Sequence, residues 1–514
     1  MEAVQQKEVS LTARTIWFMC ARTLAFIFSF GLPLLLVRRL SQHEFGVYKQ
    51  IFLVVGTAVV TLPLGFGMSA YYFLPREPER HSQIVFNILL FHAAVGSLVG
   101  VTFLLFPGLL ISLFHNVELA QYASLVGVLS FVWILSAPLD TLAIANQEAK
   151  LAGVFIVGSQ AVKASLLFFA AFLVGSLRAL IYAAVIHGVL QAGVLLWYLG
   201  SRFGAFWKTF SWSIMGRQLA YALPLGLAAF LFRAHAELHH YFVSYNFTAA
   251  AYAIYAVGCF NILLPGVVTE AVGTVLIPRV SYLQSRNQHT EIINLLARML
   301  RKVAALFLPL YFLLLVIGRD FISVLFTDLY LPSWPIFAIN LTFIPLALIP
   351  TAYDPVTRAY PEYRFFLIKV RAVLLVVLLA ALVLFTRQFG LVGAITAVVM
   401  VGALENVITA TKSAKILGVT RRDLLLLKDV LRIAVAAIVA GIVSWFVLQL
   451  LAGSGQLVKL TFSVLSFALV YLTAILLLRI ITPQEWHLLK AQMKRPSMPW
   501  KRAGSSFLRE GIDH

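Results

Sequence analysis

The stretch LPLGLAAFLFRAHAELHHYFVSY, residues 223–245, decides the fold, because it is apolar enough to cross a membrane and yet carries several ionisable side chains. Its core, FRAHAELHHY, holds one Arg, one Glu and three His. A charge at the centre of a bilayer costs on the order of 3 kcal/mol on insertion scales. The stretch therefore predicts a membrane-spanning helix whose charges are compensated by neighbours and are tied to function.

The rest of the chain is built from similar segments. Of its 514 residues, 61% are hydrophobic and only 12% are charged. A spanning helix needs about 20 apolar residues. We trace fourteen such segments, at approximately 12–37, 47–73, 84–107, 121–144, 153–175, 179–200, 217–244, 249–277, 299–326, 333–356, 366–387, 390–411, 429–452 and 458–481. The sequence thus predicts an all-α integral membrane protein with about 14 transmembrane helices.

The distribution of positive charge predicts the topology. With the N-terminus in the cytoplasm, 30 of the 40 Lys and Arg side chains fall in cytoplasmic segments, seven at external loops or span ends and three within spans. This bias follows the positive-inside rule, so both termini are predicted to be cytoplasmic. The net charge of +19 then reflects topology and contact with anionic lipids, not nucleic acid. Cys20 and Cys259 both fall in spans, which predicts no disulfide framework.

The longer cytoplasmic segments divide the chain into predicted units. The aromatic and basic segment SRFGAFWKTFSWSIMG follows six spans and predicts an interfacial linker between two lobes. A second long loop is predicted at 278–298, with a short amphipathic helix from Thr290. The predicted units are an N-terminal lobe at 1–200, the linker at 201–216, a C-terminal lobe at 217–411, two further spans at 412–481 and a basic tail with an interfacial helix at 482–514. FGVYKQ (45–50) and AAAYAIY (249–255) open spans 2 and 8, as two copies of one unit would.

Helical geometry sorts the ionisable residues of the opening stretch into two faces. At about 100° per residue, Arg233, Glu237, His240 and Ser244 form one polar stripe, and the other two histidines lie on the opposite side. Arg233 and Glu237 are four residues apart and can form an ion pair.

Three interpretations of this arrangement stay open. The pair can be self-neutralised and simply stabilise helix packing. The stripe can instead face an aqueous cavity, where Arg233 contacts an anionic substrate and Glu237 or His240 carries a coupling proton. His235 and His239, at i and i+4, suit zinc, but the sequence supplies no convincing further ligand, and we expect no metal.

Other ionisable residues lie within or beside the predicted spans, with the cations in the first half and the acids in the second. The cations are Arg22, Arg38, Arg39, Lys49 and Lys163, and the acids are Glu270, Asp354 and Glu405. An Arg without a neutralising partner in a span usually faces a cavity. Arg22 and Lys163 can alternatively snorkel, or pair with Asp354 or Glu405 across the bundle.

Motifs of several other activities are absent from the sequence. There is no GxxxxGK[ST] loop, no GxSxG, no HExxH and no DxD near an external loop. The acids are scattered singly, and the external loops are too short for a catalytic domain. We therefore expect a protein that is not an enzyme and that needs no cofactor.

Three segments carry a family resemblance: RRLSQHEFGVY (38–48) before a Gly-rich span, YAIYAVGCFNILLPGVVTEAVGTVLIPRVSYLQ (252–284), and RQLAYALPLG (217–226). They resemble the polysaccharide flippases of the multidrug/oligosaccharidyl-lipid/polysaccharide exporter superfamily, and the likeness covers most of residues 10–480. It implies two six-helix lobes in a V shape around a central cavity with alternating access. The two additional C-terminal helices fit the fourteen-span branch that includes lipid II flippases, and the twelve-span drug exporters lack them.

The resemblance also implies a function. A flippase of this kind translocates a polyprenyl-(pyro)phosphate-linked oligosaccharide across the bacterial cytoplasmic membrane for surface polysaccharide biosynthesis. The residues expected to bind its phosphate are Arg22, Lys163 and Arg233, assisted on the outer side by Arg38, Arg39 and Lys49. The candidates for proton or ion coupling are Glu237, His240, Glu270, Asp354 and Glu405. The side chains expected to contact sugars are Tyr71, Tyr72 and Tyr221.

The expected partners are the polyprenyl-linked oligosaccharide, membrane lipids including anionic ones, a polysaccharide polymerase and glycosyltransferases. Two other functions stay open. A cation-coupled multidrug antiporter of the same superfamily would prefer an acidic cavity and twelve spans. A membrane polysaccharide polymerase or ligase would need a large external loop with Arg and His, which the sequence lacks.

Overall fold

The segment RRLSQHEFGVY begins the first long helix that the structure describes. Ser41 caps it: the Glu44 backbone N–H donates to the Ser41 hydroxyl at 3.2 Å, and the Ser41 backbone N–H donates to the Glu44 carboxylate at 2.9 Å. This reciprocal pair is a capping box, which satisfies two backbone donors that a helix start otherwise leaves unpaired. The Ser and Glu of the motif therefore have a local structural role.

The computed structural model describes residues 23–24, 28, 31–360 and 365–478. This part of the chain is nearly all helical and contains no strand, as predicted. Its α-helices are α1 Gln42–Thr61, α2 Ser69–Phe73, α3 His81–Leu105, α4 Gly108–Phe114, α5 Ala123–Ser136, α6 Leu139–Ala145, α7 Ala149–Phe169, α8 Leu177–Phe203, α9 Trp212–Asn246, α10 Ala249–Gly258, α11 Leu263–Ser285, α12 His289–Phe326, α13 Trp334–Asn340, α14 Phe343–Leu346, α15 Leu348–Ala359, α16 Phe366–Leu417, α17 Lys428–Leu450 and α18 Gln456–Leu477. Most of the predicted first span, Arg22, Cys20 and the predicted tail helix lie outside the described residues.

Twelve helical segments of the described chain are long and apolar enough to cross a membrane, which makes this a multi-pass membrane protein. One of the twelve, α16, has 52 residues, far more than the roughly 20 that a span requires. Its backbone leaves helical geometry at Gly390, with φ 57° and ψ −136°, and Gly393 then lies against the carbonyl of Phe385. A chain reversal at Gly390 thus yields the two predicted spans, 366–387 and 390–411.

Two predicted spans are interrupted. The segment 249–277 is not one helix, because the chain leaves helical structure between α10 and α11. The segment 333–356 is divided into α13, α14 and α15. Such breaks are tolerated at membrane depth only where protein or a water-filled cavity surrounds the backbone.

The predicted loop at 278–298 is largely helical, so that prediction is wrong in detail. α11 continues to Ser285, and α12 begins at His289 and runs unbroken to Phe326, without a separate short helix from Thr290. The polar residues that suggested a loop lie on helices that extend beyond the apolar spans.

The beginnings of α1 and α10 pack against each other, and we call this part of the bundle the Ser41 end. A Cβ on Gly46 of α1 would lie 1.9 Å from the carbonyl oxygen of Ala249, so only glycine permits this approach. Nearby, the Gln42 side chain donates to the carbonyl of Leu329 at 2.5 Å. The two segments FGVYKQ and AAAYAIY, noted as possible repeats, therefore meet in space.

α9 runs antiparallel to the α1–α2 segment and contacts it at several points. Gln50 donates to Ser244 at 2.9 Å near the Ser41 end. Midway, Gly226 lies against the backbone of Leu64, where a Cβ would come within 2.1 Å of the carbonyl oxygen. We call this contact the α9 seam.

At its other extremity, the Arg217 end, the seam closes with an ion pair. Arg217 donates in bidentate fashion to Glu77, with N–O distances of 2.6 and 3.0 Å. Glu77 lies in the short loop before α3, and this arginine holds the pKa of its carboxyl below the usual value. The opposite face of α9 packs on α16, so α9 bridges the two halves of the bundle.

We expect Gly46→Ala to open the Ser41 end, because the added methyl group would overlap the Ala249 carbonyl. Overpacking costs about 1–3 kcal/mol, so thermal unfolding in detergent should occur at lower temperature. The measurement is the unfolding temperature of the full chain in detergent, compared between Gly46→Ala and wild type. Gly56→Ala is the matched control, because its Cβ meets nothing within 4 Å. Equal unfolding temperatures for Gly46→Ala and Gly56→Ala would contradict the prediction.

The Glu77–Arg217 ion pair predicts a dependence of stability on pH. Because the pKa of Glu77 is lowered in the folded protein, its contribution is complete above the ordinary Glu pKa of about 4.3 and is lost as pH falls through and below that value. Glu77→Gln should therefore lower the unfolding temperature at pH 7 but not at pH 3. Glu79→Gln is the control. An equal effect of Glu77→Gln at both pH values would show that the ion pair is not responsible.

Candidate functional site

The polar stripe predicted on the opening stretch faces α1 across the α9 seam. Ser244 accepts the hydrogen bond from Gln50, and Gln50 in turn accepts one from Asn116 at 3.0 Å. Two helical turns earlier along α9, the stripe approaches Lys49 of α1, whose charge acts on Glu237. The seam therefore places polar groups from both halves of the chain opposite each other at membrane depth.

Arg233 and Glu237 form the predicted ion pair, with 2.9 Å between Nη2 and Oε1. The Arg233 side chain is 35% exposed and that of Glu237 is 17% exposed, so the cation is the more accessible partner. Lys49 lies half-buried, with its ammonium 5.4 Å from the Phe45 ring centroid. Two cations around one carboxylate leave the seam with a net positive charge, which suits an anion.

Lys163 forms a second cationic position, in α7. Its ammonium lies 4.5 Å from the centre of the Trp133 ring, and it lines a small cavity of about 120 Å³ together with Tyr48 and Gln160. Tyr48 precedes Lys49 in α1, so the cavity and the seam are both lined by residues of this helix. The acids Asp354 and Glu405 pair with other arginines, as described below, and not with Lys163.

Arg38 and Arg39 have contacts of their own. Arg38 donates to the carbonyls of Val324 and Leu325 at 2.6 and 2.9 Å, and so neutralises the C-terminal end of α12. The Arg39 guanidinium stacks 4.5 Å from the Phe172 ring centroid. Arg38 thus joins the two halves at the Ser41 end, and both arginines are exposed. Their role toward phosphate stays a prediction.

The other face of α9 meets a second polar cluster, which contains a residue that the sequence did not single out. Arg371 of α16 donates to Glu405 at 2.9 Å across the Gly390 reversal, and Glu405 is only 8% exposed. Their charges act on His235 of α9, and the Arg371 guanidinium lies 5.1 Å from the Phe232 ring centroid. A buried Glu demands a cationic partner, and that rule could have pointed to Arg371.

Two further acids in this half differ in environment. In α15, the Asp354 Oδ2 atom lies 3.8 Å from the Arg358 Nη2 atom, one turn along the same helix. The charges of Arg371 and Glu405 also act on the Asp354 carboxylate. Glu270 of α11 is exposed. Asp354 and Glu405 therefore belong to one cluster, whereas the structure does not place Glu270 in it. The assignment of Asp354, Glu405 and Glu270 as coupling residues stays a prediction.

The tyrosines expected to contact sugars lie near the Arg217 end. The Tyr72 and Tyr221 rings are 4.8 Å apart, and the Arg76 guanidinium stacks on Tyr72 at 3.9 Å. Tyr71 and Tyr72 are 40% and 38% exposed. The structure thus forms an aromatic surface with an adjacent cation, which we call the Tyr72–Tyr221 platform.

Several solved membrane-protein structures have a similar fold. The chain is similar to a structure described as lipid II flippase MurJ in an inward closed conformation, with a TM-score of 0.66 and 15% identity over 92% of this chain and 100% of that one. It is also similar to an inward-facing multidrug resistance MATE family transporter of the MOP superfamily, with a TM-score of 0.64 and 12% identity over 77% of this chain and 94% of that one. At these identities the likeness establishes the fold.

A MOP superfamily transporter from Pyrococcus furiosus is similar as well, with a TM-score of 0.54 and 12% identity over 79% of this chain and 95% of that one. No curated protein matches the sequence closely enough to be recognised. The family model described as polysaccharide biosynthesis protein matches residues 35–335. Because this match covers more than half of the chain and the fold agrees with it, the chain belongs to the polysaccharide biosynthesis protein family.

Proposed function

We propose that this protein is a flippase that moves a polyprenyl-(pyro)phosphate-linked oligosaccharide across the bacterial cytoplasmic membrane by alternating access. The observation that carries the proposal is the net positive α9 seam, where Lys49 and Arg233 surround Glu237 at membrane depth between the two halves of the bundle. A phosphate on a lipid carrier is the kind of anion that enters such an environment together with its apolar chain. Membership of the polysaccharide family and the exporter fold support this substrate class.

The charge distribution predicts how the protein is oriented in the membrane. The positive-inside rule places both termini and the Arg217 end in the cytoplasm, and the Ser41 end on the opposite side. On that orientation, the Gly46–Ala249 contact closes the external side. The Tyr72–Tyr221 platform then lies at the cytoplasmic entrance, where the sugars of a newly made unit would arrive. Glycosyltransferases would supply that unit, and a polysaccharide polymerase would consume it.

The Arg233–Glu237 ion pair offers a mechanism of exchange. In the resting state Glu237 neutralises Arg233. An arriving phosphate competes for the same guanidinium, which is the more exposed member of the pair. Glu237 then loses its partner and can take up a proton, so that substrate binding and proton binding are linked. Lys163, Arg22, Arg38 and Arg39 would stabilise the phosphate before or after this exchange, and Asp354 and Glu405 would supply a second protonation site.

Arg233→Gln should slow flipping about 10- to 100-fold, because a hydrogen bond to a charged group contributes about 1.5–3 kcal/mol. Arg233→Lys should retain part of the rate. The assay follows a fluorescent polyprenyl-pyrophosphate oligosaccharide in proteoliposomes, through its accessibility on the far side. Arg202→Gln is the control, since it removes a similar ion pair, 2.9 Å from Glu148, away from the seam.

Equal flipping rates for Arg233→Gln and Arg202→Gln would show that the Arg233–Glu237 ion pair has only a structural role. If the wild-type protein flips no lipid-linked substrate under any ion gradient but extrudes cationic drugs, the antiporter alternative replaces the proposal. If it elongates or transfers glycans, the polymerase or ligase alternative does so.

Tyr72→Ala/Tyr221→Ala should raise the substrate concentration needed for half-maximal flipping about tenfold or more, because stacking of sugars on two rings is lost at the entrance. The maximal rate should change less, since Tyr221 lies about three turns of α9 away from Arg233. Tyr182→Ala, which removes a 54% exposed ring of α8, is the control. A fall in maximal rate with unchanged half-saturation would argue against sugar binding at the platform.

A further inference from the structure

Where α9 meets the end of α10, three side chains with metal-binding atoms come together. They are His239 and His240 of α9 and Cys259, the residue at which α10 ends and the chain leaves helical structure. Their ligand atoms all lie within 4.8 Å of one another. Among the residues that the structure describes, this is the one group of three or more His, Cys, Asp or Glu side chains with that property.

The cluster is buried at membrane depth. His239 is 7% exposed and Cys259 is 8% exposed. His240 Nδ1 is inaccessible to solvent and has no hydrogen-bond partner in the described structure. An unsatisfied buried polar atom costs about 1–3 kcal/mol, so a group that binds the His240 ring would remove that cost.

Tyr255 orients two of the three side chains. Its hydroxyl lies 2.7 Å from His239 Nδ1, which fixes the ring and leaves the other nitrogen, Nε2, available. The same hydroxyl hydrogen bonds with the Cys259 thiol. A hydrogen bond to the second ring nitrogen, as at His239, is a common feature of metal-binding histidines, because it sets the orientation and the protonation of the ring.

We propose that His239, His240 and Cys259 bind a soft metal ion, and that charge balance favours Cu⁺ over Zn²⁺. Thiolate and imidazole ligands suit both ions. Bond lengths of about 2.0–2.3 Å to nitrogen and sulfur require the three side chains to move together by roughly an ångström. A Cys259 thiolate cancels the single charge of Cu⁺, whereas Zn²⁺ would leave a positive site beside Lys49 and Arg233, whose charges already act on His240.

The location gives the site a mechanical consequence. A bound ion would fasten α9 to the point where α10 ends, immediately before the break that leads to α11. α10 is the helix that packs on α1 through the Gly46–Ala249 contact. The ion would therefore hold the break in one conformation next to the interface between the two halves.

The test is an anaerobic competition for Cu⁺ against the chromogenic chelator bicinchoninate, with the full chain in detergent. Wild type should bind one Cu⁺ per chain, and Cys259→Ser should bind it at least tenfold more weakly. Cys20→Ser removes the other thiol of the chain and should match wild type. His235→Gln removes a histidine of the same helix and should also match it.

Failure of wild type to bind Cu⁺ or Zn²⁺ would overturn the proposal, and so would equal binding by wild type and Cys259→Ser. Tighter binding of Zn²⁺ than of Cu⁺ would keep the site and overturn the charge argument. If Cys259→Ser does not fold, alkylation in the Cys20→Ser background replaces it. Cu⁺ should then slow the reaction of Cys259 with N-ethylmaleimide in partly denaturing detergent at least tenfold, and an unchanged rate would contradict the site.

Discussion

The absence of water in the bilayer interior is the constraint on which this structure depends. α9 carries an Arg, a Glu and three His through that interior, and four of these five side chains interact with charged or polar groups of α9 itself, α1, α16 or α10. Glu237 pairs with Arg233 on its own helix, and the charge of Lys49 of α1 also acts on it. The charges of the Arg371–Glu405 pair of α16 act on His235, and His239 forms a hydrogen bond with Tyr255 of α10. The central position of α9, between both halves of the bundle, follows from these requirements.

Close packing in lipid explains the rest of the seam. Apolar helices gain no hydrophobic stabilisation by leaving lipid for one another, so small residues and interhelical hydrogen bonds must hold them. Gly46 permits close approach of α1 to α10, Gly226 permits close approach of α9 to Leu64, and Gln50 with Ser244 provides a hydrogen bond between these two points. At the Arg217 end the seam closes with an accessible ion pair instead. The two ends of the seam are therefore held by contacts of different kinds.

The chemistry of the candidate site was only partly accessible from sequence. Spacing alone predicted the Arg233–Glu237 pair and put Ser244 on the same stripe, since helical geometry is local. It did not predict Arg371, which lies near a span end and meets Glu405 only because α16 reverses at Gly390. Nor did it predict that His239 would join His240 and Cys259, because a helix wheel places the two histidines on different faces and says nothing about the neighbouring helix.

The sequence by itself determined that this is an all-helical membrane protein, and roughly where its spans lie, because the length and apolarity of each segment are local properties set by bilayer thickness. It also determined the family, through motifs such as RRLSQHEFGVY. Only the tertiary structure decided which charges meet, where spans break and which contacts hold each end of the α9 seam. Those outcomes depend on contacts between residues as distant as Gln50 and Ser244 or Glu77 and Arg217, and composition and periodicity carry no information about such pairings.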